Sequence, residues 1–444
     1  MFALSILFLL MGNVGVQAQK VVELTLEETL SYAMENNVEA KNAQLETLIA
    51  RATVIERRAP GLPQVSANLD FTHNAAIPIQ FVPNEGAFFQ PDVDSDVLPL
   101  RFGVNYSSIL AARVNQMIFD GSYFVGLRAA NTFKMLTDFD RMKTEIDVRE
   151  TVKKAYFTVL VNEQRYNLVQ ANLSRLDTLL KETQALYEAG FAEKIDVSRI
   201  KVQRNNTQSE LDRINTAYQI SEQLLKLQMG MPMEYELRLK ENLSDLNISS
   251  EISSLMESQG QRRVEIDQLQ TNLELVGLDL KNNQVQYMPQ LNAFATYQRN
   301  AAAQNIGSIW QSDRWFTGAF IGLSLNIPIF DGLAKSARIQ QNRVQIRQLE
   351  NQNFFLEQNI ELEKFQAKIN LRNGLNTLRV QEENRDLALE VFRMAKIKFE
   401  EGVGSNLEVV EADSALKEAE SNYFSALYDA LVAKVDLEKA LGIL

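Results

Sequence analysis

A chain of 444 residues with no cysteine has no disulfide, no thiolate metal site and no lipid-carrying N-terminal cysteine. Its single histidine, His73, leaves little room for histidine-based catalysis or transition-metal binding. The net charge of −12 argues against nucleic-acid binding, and only 9 prolines and 19 glycines suit long helices better than a loop-rich all-β protein.

The first residues read MFALSILFLLMGNVGVQAQK. The apolar run Phe2–Met11 has the length of a signal-peptide core and is too short to cross a bilayer as a helix. Val16, Gln17 and Ala18 form a small-residue cleavage site before Gln19, although no Lys or Arg precedes the apolar run. Residues 1–18 are therefore expected to be a signal peptide. No later apolar run reaches the roughly 18 residues of a membrane helix, so an exported protein of this kind is either soluble in the periplasm or inserted as a β-barrel.

A helical segment runs up to Pro63, and two segments of alternating polarity follow, at about 64–82 and 97–119. Val65, Ala67, Leu69 and Phe71 alternate with Ser66, Asn68, Asp70 and Thr72; Leu98, Leu100, Phe102, Val104 and Tyr106 continue the pattern. MIFDG at Met117–Gly121 ends the second strand. Asp120 suits the cap of a following helix, and the glycine eases the bend. From Gly121 to about Gly190 no proline interrupts, a length that predicts a helix on the order of 100 Å. Leu173, Leu176, Leu180, Thr183 and Tyr187 step along it by threes and fours as a coiled-coil seam. A glycine turn at Gly190 and a return helix complete this half.

The chain then repeats itself. Val38 onward can be laid on Val264 onward, with Pro63-Gln64 falling on Pro289-Gln290. Strands are expected at about 290–304 and 315–330, where Leu291, Ala293, Ala295 and Tyr297, then Ala319, Ile321, Leu323 and Leu325, alternate with more polar neighbours. PIFDG at Pro328–Gly332 matches MIFDG, and FEEGVGSNLEV from Phe399 matches YEAGFAEKIDV from Tyr187. The domain reading is residues 19–230 for the first repeat, 231–255 for a linker rich in Glu, Asn and Ser, and 256–444 for the second repeat. Four strands cannot close a membrane barrel, whose smallest form has about eight, and open edges cannot sit in lipid. If the strands are transmembrane, several chains share one barrel: two give eight strands and three give twelve.

The doubled helix–strand–strand–helix order, the Pro-Gln and Phe-Asp-Gly boundaries and the paired glycine tips together resemble the TolC-like outer-membrane efflux family, from about Leu24 to Leu444. The resemblance implies an α+β membrane protein with an internal two-fold repeat. Three copies would form a twelve-stranded outer-membrane β-barrel, four strands per chain, continuous with a long periplasmic α-helical coiled-coil barrel. The implied function is the exit duct of a tripartite efflux or type I secretion system. Its partners would be a second and third copy, a periplasmic adaptor, an inner-membrane pump or ABC transporter, and outer-membrane lipid, with residues 231–255 as an equatorial belt. No enzyme activity, cofactor, metal or nucleic acid is implied. The alternative is a soluble periplasmic coiled-coil interaction protein without channel activity.

Two groups of site residues follow from the resemblance. Gly190, Ala192, Glu193, Gly402, Gly404 and Ser405 are expected at the periplasmic tips that meet an adaptor. Glu408 and Glu411, spaced by three so that both face one side of a helix, are expected with Asp196 at a cation-favouring periplasmic gate. Arg199 is the candidate partner of that acidic ring. The family's gate also uses a tyrosine and an arginine. Phe399 and Gly404 stand at those places here, so those bridges cannot form.

Overall fold

The computed structural model describes residues 21–85, 90–92, 94–243 and 254–444. The expected signal peptide, residues 1–18, and most of the expected linker's second half lie outside them. The chain divides into two units: Ile49–Met135 with Thr271–Leu349, and Met1–Leu48 with Leu136–Gln270 and Glu350–Leu444.

The first unit is built around strands β2 (Gln64–His73), β5 (Tyr106–Phe119), β7 (Gln290–Ala303) and β8 (Trp315–Asn326), which form one antiparallel sheet in the order β2-β5-β7-β8. Register follows the period-two pattern. Val65 faces Val114, Leu69 faces Leu110, Ala295 faces Val114 and Ile321, and Leu323 faces Ala293, so apolar side chains meet across all four strands. The opposite face carries Ser66, Asn68, Arg113, Asn115, Asn292, Thr296 and Gln298. A one-residue slip would exchange the two faces, and this fixes the pairing. Ile321 is 90% exposed and Val65 73%, so within one chain the apolar face is bare.

Strand limits differ from expectation where the backbone changes partners. The segment 64–82 divides into β2 and β3 (Ile79–Pro83), and 97–119 divides into β4 (Val97–Arg101) and β5. Asn74 ends the β2–β5 ladder: its backbone amide bonds the Asn105 carbonyl and its side chain bonds that of Val104, each at 2.8 Å. Beyond it, β3 and β4 pair only with each other, with Pro83 and Pro99 in this short two-stranded sheet. β8 ends at Asn326 rather than 330, before Pro328, which has no amide to donate.

Each strand-to-helix switch uses its aspartate. The Asp120 carboxylate accepts the Ser122 amide at 2.7 Å as α3 (Gly121–Glu188) begins. The Asp331 carboxylate accepts the Lys335 amide at 3.0 Å, before a later helix start at Ala334. There Gly332 and Leu333 both take positive φ, 67° and 68°.

The second unit holds β1 (Val21–Leu24), α1 (Leu26–Asn36), the start of α2 (Val38–Arg58), most of α3, α4 (Lys194–Met229) and β6 (Glu236–Leu239). It also holds the start of α5 (Val264–Val285), most of α6 (Ala334–Glu400) and all of α7 (Asn406–Ala440). β1 and β6 pair in parallel. They cover a core of Tyr156, Leu160, Leu225, Met229 and Leu431, with no exposure above 2%. Thr25 caps α1 in a reciprocal box with Glu28.

The end of α7 is tied to α3 by charge. Lys439 bonds Asp147 at 2.8 Å and Glu150 at 2.5 Å, Lys154 bonds Glu150 and Asp436, each at 2.6 Å, and Lys153 bonds Glu438 at 2.7 Å. Burial pushes the Asp147 and Glu150 carboxyls up, but hydrogen bonds from these lysines outweigh it and hold both below the usual carboxylate range.

Among the described residues no helix is long and apolar enough to cross a membrane.

Candidate functional site

The helical unit turns twice at its tip, and both turns are built the same way. After α3, Gly190 takes φ 82°, its amide bonds the Tyr187 carbonyl, and the Phe191 amide reaches Leu186. After α6, Gly402 takes φ 72°, its amide bonds Phe399, and the Val403 amide reaches Lys398. Each is a glycine C-cap closed by a six-to-one bond, which satisfies the orphan carbonyls of the helix end. The residue after each glycine is apolar and bare: Phe191 is 84% exposed and Val403 80%.

Return helices start with matched caps. Glu193 precedes α4, and its amide is accepted by the Asp196 carboxylate at 3.2 Å while its own side chain bonds back. Ser405 precedes α7 and accepts the Glu408 amide at 3.2 Å. Gly404 and Ala192 occupy equivalent places with different freedom. A Cβ on Gly404 would lie 2.8 Å from that of Lys398, so glycine is required there by contact.

The three expected gate carboxylates divide. Glu408 and Glu411 are exposed on α7, three residues apart. Asp196 is half-buried, engaged in the α4 cap and 3.6 Å from Arg199. Behind them a core of Leu179, Ile200, Phe392, Val409 and Leu416 joins α3, α4, α6 and α7, with Phe399 packed at its edge.

One feature of this region escaped the sequence reading: a buried polar seam on α7. Asn406, Asp413 and Glu420 recur every seven residues and are 4%, 1% and 6% exposed. Asp413 takes Lys417 at 3.1 Å and Gln203 at 3.4 Å, and Lys417 also donates to Thr207. Glu420 accepts from Asn172 at 2.9 Å; Arg175, which bonds Asn172, stacks 5.1 Å from the Phe392 ring. Burial raises the Glu420 carboxyl above its usual range, and the Asn172 bond and Arg175 charge only partly oppose it. Beside the seam a cavity of about 410 Å³ is lined by Arg165, Asn172, Thr207, Arg213, Lys417 and Glu420. The seven-residue spacing was visible in the sequence. Polar side chains at that spacing give no sign of burial until their partners are known.

Among the described residues no cluster of His, Asp and Glu has the arrangement of a metal site. Among the described residues the geometry offers surfaces, helix caps and a two-faced sheet.

Comparison with known proteins agrees. Residues 255–443 match the family model described as outer membrane efflux protein. The cobalt-zinc-cadmium resistance protein CzcC of Cupriavidus metallidurans is 23% identical over 86% of this chain and 86% of its own. The outer membrane protein TolC of Vibrio cholerae is 20% identical over 97% of this chain and 93% of its own. The crystal structure of the outer membrane protein VceC of Vibrio cholerae superposes with a TM-score of 0.71 at 15% identity, covering 94% of this chain and 96% of that one. A doubled strand-and-helix plan and matched glycine tips accompany these likenesses: over residues 255–443 the chain is similar to outer membrane efflux proteins, and its fold matches that of VceC.

Proposed function

We propose that three copies of this chain form the outer-membrane exit duct of a tripartite efflux or type I secretion system. On this reading the chain is an outer-membrane protein of a Gram-negative cell and not an enzyme. The observation that carries the duct reading is the sheet β2-β5-β7-β8. One face is apolar, the other polar, and no further strand of the described residues pairs with β2 or β8. Strands facing hydrocarbon must have every backbone group paired, and four strands cannot close on themselves. Edge-to-edge pairing of β2 with β8 of the next copy closes twelve strands in a trimer, with residues 19–230 and 256–444 as two structural repeats. The helices support the same reading: Ile195 and Val202, then Ile220, Leu224 and Leu227, on α4, and Leu387, Val391 and Met394 on α6, are apolar, exposed and spaced within each group by three, four or seven.

In this assembly the tips around Gly190, Ala192, Glu193, Gly402, Gly404 and Ser405 meet a periplasmic adaptor, with Phe191 and Val403 as the apolar contacts. An inner-membrane pump or ABC transporter supplies the cargo. Glu408 and Glu411 from three chains line the periplasmic mouth with Asp196 beside them, and residues 231–255 belong to the equatorial belt.

Native mass measurement of the detergent-solubilised protein tests the assembly. A trimer is expected. A dimer as the only species refutes the twelve-stranded trimer; a monomer as the only species refutes the shared barrel and returns the chain to a soluble coiled-coil role, which leaves the apolar sheet face without a purpose.

A further inference from the structure

The polar face of the sheet carries only two charged side chains among the described residues, Asp70 on β2 and Arg113 on β5. Asp70 accepts a hydrogen bond from Asn68 at 2.6 Å. Arg113 has no carboxylate partner among the described residues. Its guanidinium lies instead 5.5 Å from the centre of the Phe294 ring on β7. Asp70 pairs with Ile109, four residues along β5 from Arg113, so the two charges stand about 13 Å apart along the strand. That is beyond the screening length of about 8 Å in physiological salt, and the aspartate leaves the arginine's charge uncompensated.

The floor beneath the pair is shaped for it. Phe294 faces Gly322 across the β7–β8 ladder, and a Cβ on Gly322 would lie 2.6 Å from the ring. The missing side chain lets the ring settle over the neighbouring strand, an arrangement known to rescue glycine in sheets. Ser66 and Thr296 flank Arg113 in register on either side, and Asn115 faces Phe294. The result is one cation with a fork of donors, one aromatic surface under it and hydroxyl and amide groups around it.

We propose that Arg113 and Phe294 form a binding station for aromatic anions, such as aryl carboxylates or sulfonates, on the inner wall of the barrel. The proposal rests on the duct reading, which turns the polar face inward and repeats the station three times around the lumen. A guanidinium takes a carboxylate or sulfonate through two parallel bonds. The Phe294 ring offers an offset or edge contact to an aryl group. In a chain of net charge −12 a generic wall disfavours anions, and an unpaired arginine in each chain reverses that preference locally. The station therefore selects among cargoes on chemistry that belongs to the duct rather than to the pump.

The test uses the detergent-solubilised full chain with 2-naphthalenesulfonate as the aromatic probe and methanesulfonate as its non-aromatic counterpart, by titration calorimetry or saturation-transfer NMR. Wild type is expected to bind the aromatic probe saturably, and Arg113→Ala to weaken it at least about tenfold. Arg113→Lys keeps part of the affinity, since the charge remains and the fork is lost. Phe294→Leu weakens naphthalenesulfonate several-fold and leaves methanesulfonate unchanged. Because Arg113→Lys and Phe294→Leu preserve charge or apolar volume, they carry the test if the alanine variant fails to assemble. Aromatic-probe binding that is absent in wild type, or unchanged in the Arg113 variants of an intact trimer, overturns the station alone. A wild-type chain that is only monomeric overturns the duct reading instead.

Discussion

Gly230 and Gly190 offer a controlled comparison of two reasons for needing glycine. Gly230 ends α4 with φ 70°, and a Cβ there would lie 2.3 Å from the Asn36 carbonyl oxygen and 3.0 Å from the Asn37 nitrogen, where α1 meets α2. Gly190 has φ 82° with nothing within 4 Å of an added Cβ. Alanine at either position meets a left-handed penalty of roughly 1–2 kcal/mol. Only at 230 must backbone also move, which adds about 1–3 kcal/mol and strains the 2.7 Å bond from the Asn37 side chain to the Gln228 carbonyl. The expected costs are thus about 1–2 kcal/mol for Gly190→Ala and roughly 2–5 kcal/mol for Gly230→Ala. Amide hydrogen exchange reads this locally. In Gly230→Ala the Asn37 and Met231 amides, which bond Ala33 and Lys226, should open about 100-fold more readily. In Gly190→Ala the rise should stay within about tenfold or little more, near Phe191. Equal effects at the two sites would refute the contact argument, since the φ penalty is all they share.

Glu420→Gln keeps an oxygen for Asn172 and removes a charge that burial disfavours. Below the ordinary value of 4.5 both folded and unfolded chains hold the proton; above it the unfolded chain releases a proton that the folded one retains, so native stability falls as pH rises through the window up to the raised folded value. The variant should match wild type near pH 4 and exceed it at pH 7 in exchange protection around Asn172 and Glu420, and a gain that is independent of pH would sink this account. Replacing Glu408 and Glu411 together by alanine should lower cation preference and weaken divalent block in single-channel recordings; unchanged selectivity would mean that the acidic mouth lies elsewhere. Cysteine at Ser405 should cross-link to an adaptor tip, whereas efficient cross-linking only near Tyr106 would reverse the proposed orientation.

Much of the architecture could be read from residue spacing, because the signals were local. The alternation of Val65 to Phe71 and of Ala319 to Leu325 depends on nearest neighbours, and so do the caps at Asp120 and Asp331. What stayed hidden depended on distant partners. The β3–β4 pair joins Ile79–Pro83 to Val97–Arg101 across an irregular connection; both lie within the strands expected at about 64–82 and 97–119, and what the alternation did not show is that each of those segments changes partner. β1 and β6 are four residues each, too short to show a period, and they find each other from 21 to 236. At the tip, Gly190 and Gly402 were plain in the sequence; the bond that ties Asp196 into the α4 cap is also local, to Glu193 three residues before it, but glutamate is not among the preferred cap residues, so the pair did not stand out. Asn406, Asp413 and Glu420 kept a perfect heptad, but polar side chains carry burial only when their partners are known.

That heptad makes α7 a zipper with two kinds of teeth. Toward the tip Asp413, Lys417 and Glu420 share the contacts with Val409 and Leu416, and water can take over their hydrogen bonds one at a time as helices separate. Farther along, Leu427, Leu431, Val435 and Leu437 occupy the contacts, and parting them exposes hydrocarbon that water does not compensate. Prying apart a turn of helix is therefore cheaper at the free end than at the root. A bundle fastened this way can loosen its tip, turn by turn, while its base stays shut. The direction of yielding is written into how large a share polar side chains take of the contacts along one helix.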